Sequence, residues 1–389
     1  MFRPTGDTVA KAPEPAHVAV VGPVPPLRGG IAQHTARVVA ALRAAGTEVT
    51  VMSWRQQYPR MFYKSDQTDG PGPSMDSANY RLRWWAPWTW FATGRAVRHA
   101  DALVLPWVHP IQALALRTVA MAAGRHPVVI ALVHNVVPHE RFRGDRWATK
   151  RFFAGADAAI VQTPELGDQV RLFAPDIPIV TVPHPPNLDI PRLPLPPAGT
   201  LRLLFLGFVR PYKGVDLLLE AVAGLKGDRD IALTIAGELW EPNEQQLRKE
   251  LTRVGLNDVV TLLPGYRSDT EVAQLLADHH LVVAPYRDAT QSGIVPLAQA
   301  AGRPSVVTPV GGLARQITDG LDGVVAEGVD SQSISRAIVR AAARLDALAA
   351  GAADAAPKWS AFADAVSDLV DAVLEQRGAS GDARQSGLR

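Results

Sequence analysis

Short apolar runs alternate with stretches of helical periodicity twice along this chain, and that repetition constrains the fold more than any other feature. The two series are separated by the proline-dense stretch Pro185 to Gly199. Strands followed in strict succession by helices build parallel sheets covered on both faces. A proline-dense break with little periodicity reads as a linker between two such sheets. A chain of 389 residues also favours two cores over one. The expected class is α/β, with two Rossmann-like, doubly wound domains. The boundaries read as a flexible tail over 1–15, a first domain over 16–186, a linker over 187–199, a second domain over 200–356, a helix over 357–377 and a tail over 378–389.

In the first series, His17-Val-Ala-Val-Val-Gly22 is a buried strand that enters a proline turn ending in Gly29-Gly30. A helix follows from Ile31, with Ile31, Thr35, Val38, Val39 and Leu42 on one face and Gly46 as its C-cap. Paired glycines at a helix start let a ligand reach backbone amides that carry the positive helix end. The pattern is not the G-x-G-x-x-G fingerprint, and no acidic residue closes the second strand, Glu48 to Trp54. A nicotinamide cofactor is therefore disfavoured. Residues 55–80 read as a long loop. Tyr80 to Phe91 then holds four of the nine tryptophans beside arginines. That mixture suits a membrane interface or a bulky apolar acceptor through Trp84, Trp85 and Trp88. It equally suits a helix that packs its indoles into the core. Three later strands end in histidine, at His109, His134-Asn135 and His184, on the edge where ligands bind in open parallel sheets.

In the second series, the strand Leu201–Phe205 runs into Gly207-Phe-Val-Arg-Pro-Tyr-Lys-Gly214, and a helix follows with Val215, Leu218, Leu219, Val222 and Leu225 on one face. Arg210 and Lys213 thus lie at a strand's carboxyl end beside a helix start, which suits a phosphorylated ligand. Ala284-Pro-Tyr-Arg-Asp288 ends another strand and leads to Ser292-Gly293, whose hydroxyl and amides offer a second phosphate contact. Pro309-Val-Gly-Gly-Leu313 is a further glycine turn. Ser268-Asp-Thr-Glu271 is a capping box and Asp330 an N-cap.

Composition narrows the chemistry. Zero cysteines exclude disulfides, thiolate nucleophiles and cysteine-ligated metals. A net charge of +2 gives no global reason to expect nucleic acid. No helix carries H-x-x-x-H, so a metal site is not expected. Met1 to Ala16 has no apolar h-region, and no run is long enough to span a bilayer. The default location is cytoplasmic, and contact through the tryptophans would put the protein at the inner face of the membrane.

At Gly29-Gly30, Gly207-x-x-Arg210-x-x-Lys213-Gly214, Ala236-Gly237, Gln291-Ser-Gly-Ile-Val-Pro-Leu-Ala298, Gly302-Arg-Pro304 and Gly311-Gly312 the chain resembles the retaining glycosyltransferases of family 4. That resemblance covers most of the chain from about His17. It implies the GT-B fold, with two domains facing across a cleft and a C-terminal helix crossing back to the first. It implies metal-independent transfer of a hexose from a UDP- or GDP-sugar to an acceptor hydroxyl; with the tryptophan-arginine stretch, a glycan or lipid-linked acceptor and a role in cell-envelope or exopolysaccharide synthesis are expected. Arg210 and Lys213 would bind the donor diphosphate, and His109 would lie near the reacting carbon. Gly29, Gly30, Gly237, Gly265, Tyr266, Asp288, Ser292, Gly293 and Ile294 would line the donor site, and His134 and Asn135 the acceptor side. The chain departs from the family's Glu-x7-Glu pattern, because Asp288 to Gln299 contains no glutamate. Gln299 or a backbone group is the expected replacement at the ribose. Two other readings keep the fold: an inactive nucleotide-sugar binding subunit, and a nucleotide-sugar 2-epimerase.

Overall fold

The computed structural model describes residues 17–27, 30–58, 75, 77–136, 144–186, 188–239, 243–289 and 292–386. Gly29, Gln291, the N-terminal tail and most of the loop expected over 55–80 lie outside them. Two compact units emerge: residues up to Pro183 together with Trp359 onward, and His184–Lys358.

The first unit opens with β1 (His17–Val21), α1 (Gly30–Ala44), β2 (Glu48–Gln56), β3 (Ala78–Arg83) and α2 (Pro87–Ala96). It continues with β4 (Ala102–Trp107), α3 (Ala113–Ala123), β5 (Val128–Val133), α4 (Asp145–Phe153), β6 (Ala158–Val161), α5 (Pro164–Arg171) and β7 (Ile179–Thr181). The second unit holds β8 (Leu201–Leu206), α6 (Val215–Leu225), β9 (Ile231–Gly237), α7 (Glu244–Arg253), β10 (Val260–Pro264) and α8 (Asp269–Asp278). It is completed by β11 (Leu281–Ala284), α9 (Ile294–Ala300), β12 (Ser305–Val307), β13 (Gly323–Val325), α10 (Ser331–Ala342) and α11 (Leu345–Ala355). The last helix, α12 (Ser360–Ser386), belongs to the first unit.

The first sheet runs β3-β2-β1-β4-β5-β6-β7 and the second β10-β9-β8-β11-β12-β13, with parallel pairing throughout. In each sheet the winding reverses once, at β1/β4 and at β8/β11. Ligands in open parallel sheets bind in the crevice outside the strand ends at such a reversal. Alternation along β1 shows how the layers form. Val18 and Val20 enter a core with Val38, Val39 and Leu42 of α1 and Phe362, Val366 and Leu369 of α12. Ala19 and Val21 face the opposite core, with Trp107, Leu116, Val119 and Phe152.

Several expectations are corrected. Residues 78–83 form an edge strand rather than the end of a loop and the start of a helix. A register shift within β3 sends half-buried Ala78 and Tyr80 to one core and buried Leu82 to the opposite one, with Asn79 and Arg81 exposed, so the strand shows no regular alternation. Pro87 opens α2 at the position where no backbone donor is needed. Of the four clustered indoles, Trp90 packs on the core and donates to Arg83 O at 2.7 Å, whereas Trp84, Trp85 and Trp88 are exposed. The terminal helix, expected to end at 377, continues to Ser386.

The proline-dense stretch is held by the second unit rather than left as a free linker. Ile190 and Leu193 pack with Leu276, Ala298 and Ala301, and Leu193 N donates to Ala301 O at 3.1 Å. Arg303, fully buried, makes the tie: its guanidinium donates to Leu193 O (3.0 Å), Pro194 O (2.5 Å) and Leu276 O (2.6 Å). Leu276 and Ala277 close α8, so the cation also meets the negative end of a helix. Burial lowers the Arg303 pKa to about 10.

Candidate functional site

In the second unit the site is built at the carboxyl ends of β8, β9, β10 and β11. Three adjacent strands end in glycines of positive φ: Gly207 (123°), Gly237 (137°) and Gly265 (100°). Their backbones interlock, with Gly207 N donating to Ala236 O and Gly265 N to Gly237 O. A Cβ on Gly237 would stand 2.1 Å from Gly207 O, so close backbone approach dictates that glycine. Gly207 leaves room for Lys213, whose Nζ lies 3.2 Å from where a Cβ would sit.

Lys213 is half-buried over this glycine floor. Its Nζ donates to Tyr286 Oη at 3.2 Å and stands 4.8 Å from the centre of that ring. Tyr286, at the end of β11, is buried and shares a second hydrogen bond of 3.2 Å with Ser292 Oγ. Lys213, Tyr286 and Ser292 thus bridge the crevice where the second sheet reverses. Arg210 opens the same turn in extended conformation, with its guanidinium 5.9 Å from the Phe208 ring centre. Arg287 fixes the turn from below: it donates to both carboxylate oxygens of Asp216 (2.7 and 2.5 Å) and to Pro211 O (3.0 Å). Its backbone amide donates to Tyr212 O at 2.7 Å. These bonds hold the Asp216 carboxyl below the usual carboxylate range.

Two expected donor contacts are reassigned. Ser292 N is already given to Gln316 Oε1 at 2.8 Å, while Gln316 Nε2 donates back to Ser292 O at 3.0 Å. Gln316 therefore clamps the loop, and the Ser292 amide is not an open phosphate ligand. Gln299 is 3% exposed, and its Nε2 donates to Gln316 O and Asp322 Oδ2, making it an internal brace rather than a ribose contact. Burial raises the pKa of that Asp322 carboxyl. Asp288 and Gly293 are exposed, and Ile294 begins α9 half-buried. A Cβ on Gly293 would meet nothing within 4 Å.

Beyond β9 and β10 lies a hollow of about 340 Å³ lined by Glu238, Leu239, Glu244, Pro264 and Gly265. Tyr266, beside it in sequence, is 77% exposed. The two glutamates put carboxylates near the strand ends that carry Gly237 and Gly265. Their signal in the sequence was only the glutamate next to Gly237, which no periodicity singles out.

In the first unit, the ends of β1 and β4 bound the corresponding crevice. Gly30 begins α1, exposed, and a Cβ there would meet nothing within 4 Å, so packing does not demand the glycine. His109 is half-buried and caps a short 3-10 turn; its Nδ1 accepts from Ile111 N at 3.2 Å. A neutral ring so held carries its proton on Nε2. His134 turns inward instead of toward a ligand. Its Nδ1 lies 3.4 Å from Gln162 Nε2, and its ring stands edge-on to His34 at 4.7 Å. His34 is 1% exposed and 3.2 Å from the same Gln162 amide. It fell outside the apolar stripe read for α1 although its spacing from Ile31 and Val38 fits. Asn135 remains half-buried at the strand end. Among the described residues no three His, Asp or Glu side chains gather in a metal-sized cluster.

The fold and this crevice define a two-unit, Rossmann-like α/β protein with a lysine and an arginine at the reversal point of its second sheet. A model of glycosyltransferase family 4 matches residues 28–203, and one of group 1 glycosyl transferases matches residues 200–344. The chain belongs to the family 4 glycosyltransferases. It is similar to the D-inositol 3-phosphate glycosyltransferase of Arthrobacter sp. (strain FB24), 30% identical over 240 residues, covering 58% of this chain and 53% of that protein. The protein of the same name from Streptomyces bingchenggensis (strain BCW-1) is 30% identical over 300 residues, covering 69% and 62%. The chain thus spans between half and two thirds of each of these relatives. Among solved structures, sucrose-phosphate synthase from Thermosynechococcus elongatus superposes with a TM-score of 0.63 at 16% identity, over 92% of this chain and all of that one. That likeness is one of fold, the GT-B architecture.

Proposed function

We propose that the protein transfers a hexosyl group from a nucleoside-diphosphate sugar to an acceptor hydroxyl, with retention and without a metal. The carrying observation is the Lys213 ammonium, seated over Gly207 and bonded to Tyr286 where the second sheet reverses, with Arg210 opening the same turn. In the transfer, the bond from the anomeric carbon to the β-phosphate oxygen breaks, and a bond to the acceptor oxygen forms on the same face. The acceptor proton passes to the departing phosphate, and the nucleoside diphosphate leaves. Negative charge therefore grows on the diphosphate in the transition state. Cations already in place stabilise it without reorganising, the most effective arrangement for such charge. Retention is what the family resemblance implies.

Glu238 and Glu244, beside Gly265 and Tyr266, are positioned to accept hydrogen bonds from donor hydroxyls, a task that the Asp288 to Gln299 loop, lacking glutamate, leaves unfilled. His109, at the end of β4, serves the sugar or acceptor side of the reaction, and Asn135 lies on the same strand-end edge. The acceptor in this reading is a glycan or lipid-linked hydroxyl used in envelope or exopolysaccharide synthesis. The names of the two relatives favour a second acceptor, a phosphorylated inositol.

Transfer from labelled UDP- and GDP-hexoses, run in EDTA with a lipid-linked glycan and with inositol 3-phosphate, tests the proposal. Acceptor-dependent release of nucleoside diphosphate, with the donor's anomeric configuration kept in the product, is expected. Release of free epimerised sugar would support the epimerase instead. Donor binding without turnover on any acceptor would indicate a binding subunit, and activity lost in EDTA and restored by Mn²⁺ would refute metal independence.

A further inference from the structure

The first unit exposes its large apolar side chains on one layer. Among the described residues, and apart from Leu374 of α12, they lie on the face covered by α2 to α5: Trp84, Trp85, Trp88 and Phe91, then Leu114 and Trp147 among others. Helix α2 is inverted relative to an ordinary surface helix. Its buried residues are Thr93 and Gly94, while Trp88 (65% exposed), Phe91 (52%) and Arg95 line the outer face at helical spacing. The inversion is fixed by packing: a Cβ on Gly94 would stand 2.3 Å from Val119 O of α3, so α2 can meet its neighbour only through that glycine. Trp85 and Trp88 stand edge-to-face, with ring centres 5.8 Å apart.

Charge follows the same layer. From Ala78 to Val136 the chain carries six arginines and one acidic residue, Asp101. Asp101 is turned to the strand edge, where it accepts from His17 N. Three arginines stack on exposed aromatics of this layer: Arg83 on Trp85, Arg95 on Phe91 and Arg151 on Trp147, at 5.4 to 5.9 Å from the ring centres. On the opposite side of the sheet the charges are mixed: α12 exposes Asp364, Asp368 and Glu375 beside Arg377, and α1 exposes Arg43. The overall charge of +2 therefore conceals a basic, aromatic face.

We propose that the α2–α3 layer docks on an anionic lipid bilayer, with Trp84, Trp85, Trp88 and Phe91 at the headgroup level and the neighbouring arginines on lipid phosphates. Indole and guanidinium together suit that boundary, where one end of each side chain is apolar and the other wet. Arginines near an anionic surface add attraction that salt screens. Helices of a parallel sheet run opposite to the strands, so the β3–α2 turn and the first turn of α2 lie at the carboxyl edge of the first sheet. His109 and Asn135 occupy that same edge. Docking would bring it to the lipid surface and so suits an amphiphilic acceptor whose hydroxyl emerges from the bilayer. The docking itself stands independently of the transferase reading, because membrane binding requires no turnover.

Flotation of the full chain with phosphatidylcholine vesicles, and with vesicles also containing phosphatidylglycerol, tests this at low and high salt. The unaltered protein is expected to float with the anionic vesicles only and to be released by salt. The W84A/W85A/W88A variant should bind at least about tenfold more weakly, and Arg95→Glu/Arg98→Glu should lose the preference for anionic lipid. Melting temperature and nucleotide binding of the variants should match the parent, showing that the fold and the second unit are intact. Failure of the parent to float with anionic vesicles, or undiminished flotation of the triple variant, would overturn the proposal. So would a dimer in sedimentation that the tryptophan substitutions abolish, since the face would then be covered by a second copy. Transfer to a water-soluble acceptor by the triple variant would show that loss of docking is not loss of the enzyme.

Discussion

Replacing Lys213 with alanine separates a phosphate-binding cation from an ordinary surface lysine. Its Nζ is positioned by Tyr286 Oη at 3.2 Å and rests over Gly207, so its charge is preorganised at the strand ends. A unit charge about 4 Å from a phosphate oxygen, at an effective dielectric near 20, is worth about 4 kcal/mol. Losing one preorganised donor of this kind costs about 2.7–4 kcal/mol in the transition state. Lys213→Ala should therefore lower turnover by about 100- to 1000-fold. Stability should barely change, because Tyr286 Oη keeps its bond to Ser292 Oγ at 3.2 Å and no other buried group loses its partner. Tyr286→Phe, which keeps the charge and removes its anchor, should cost only about tenfold. Initial rates of nucleoside diphosphate release, beside thermal melts, provide the assay. Turnover of Lys213→Ala within about threefold of the parent, against the loss expected for a preorganised donor, would refute the electrostatic role.

Other perturbations probe the scaffold. Gly237→Ala places a Cβ 2.1 Å from Gly207 O at a φ of 137°, and denaturant melts should show a loss of about 2 kcal/mol or more. Gly30→Ala, where a Cβ meets nothing within 4 Å, should leave stability intact and weaken donor binding in titration. Arg303→Ala frees the carbonyls of Leu193, Pro194 and Leu276; a loss of about 3 kcal/mol, or roughly 6–12 °C in the melting temperature of the second unit, is expected. Asp216→Asn weakens the clamp on the Arg210–Gly214 turn. The folded Asp216 pKa lies below its ordinary 3.8, so the clamp's stabilisation is complete above that value and disappears as pH falls through the lower, folded one. The melting difference between parent and variant should thus be constant from neutral pH to about pH 5 and shrink below pH 4. Both side chains of that pair are more than a third exposed, so the difference should stay below about 1 kcal/mol.

The apolar runs that became β1, β4, β5, β8 and β11 were legible because buried parallel strands leave near-continuous hydrophobic sequence. Local caps were equally readable: Ser268 with Glu271 forms the expected box, and Asp330 caps α10. The glycine turn with Arg210 and Lys213 falls at the sheet reversal as its place after β8 implies. What escaped lies in side-chain pairs distant in sequence. Arg287 reaches Asp216 across 71 positions, Gln316 clamps Ser292 across 24, and Gln162 meets His34 across 128. No period or local motif encodes such pairs, so Gln299 and His134 could be placed on the right strands and helices while the inward direction of their side chains stayed hidden. Strand β3 was missed for another reason: an edge strand whose register shift breaks the alternation, with exposed Asn79 and Arg81, resembles a polar loop.

Calorimetric titration with UDP and GDP tests the central claim most directly, because it asks whether the second unit's crevice holds a nucleoside diphosphate through Arg210 and Lys213. The parent should bind one of the two saturably. The Arg210→Ala/Lys213→Ala variant should bind it at least about 100-fold more weakly, while the corresponding nucleoside, lacking phosphate, binds both proteins alike. Binding of the diphosphate that survives the double substitution, or no binding of either diphosphate to the parent, would contradict the account.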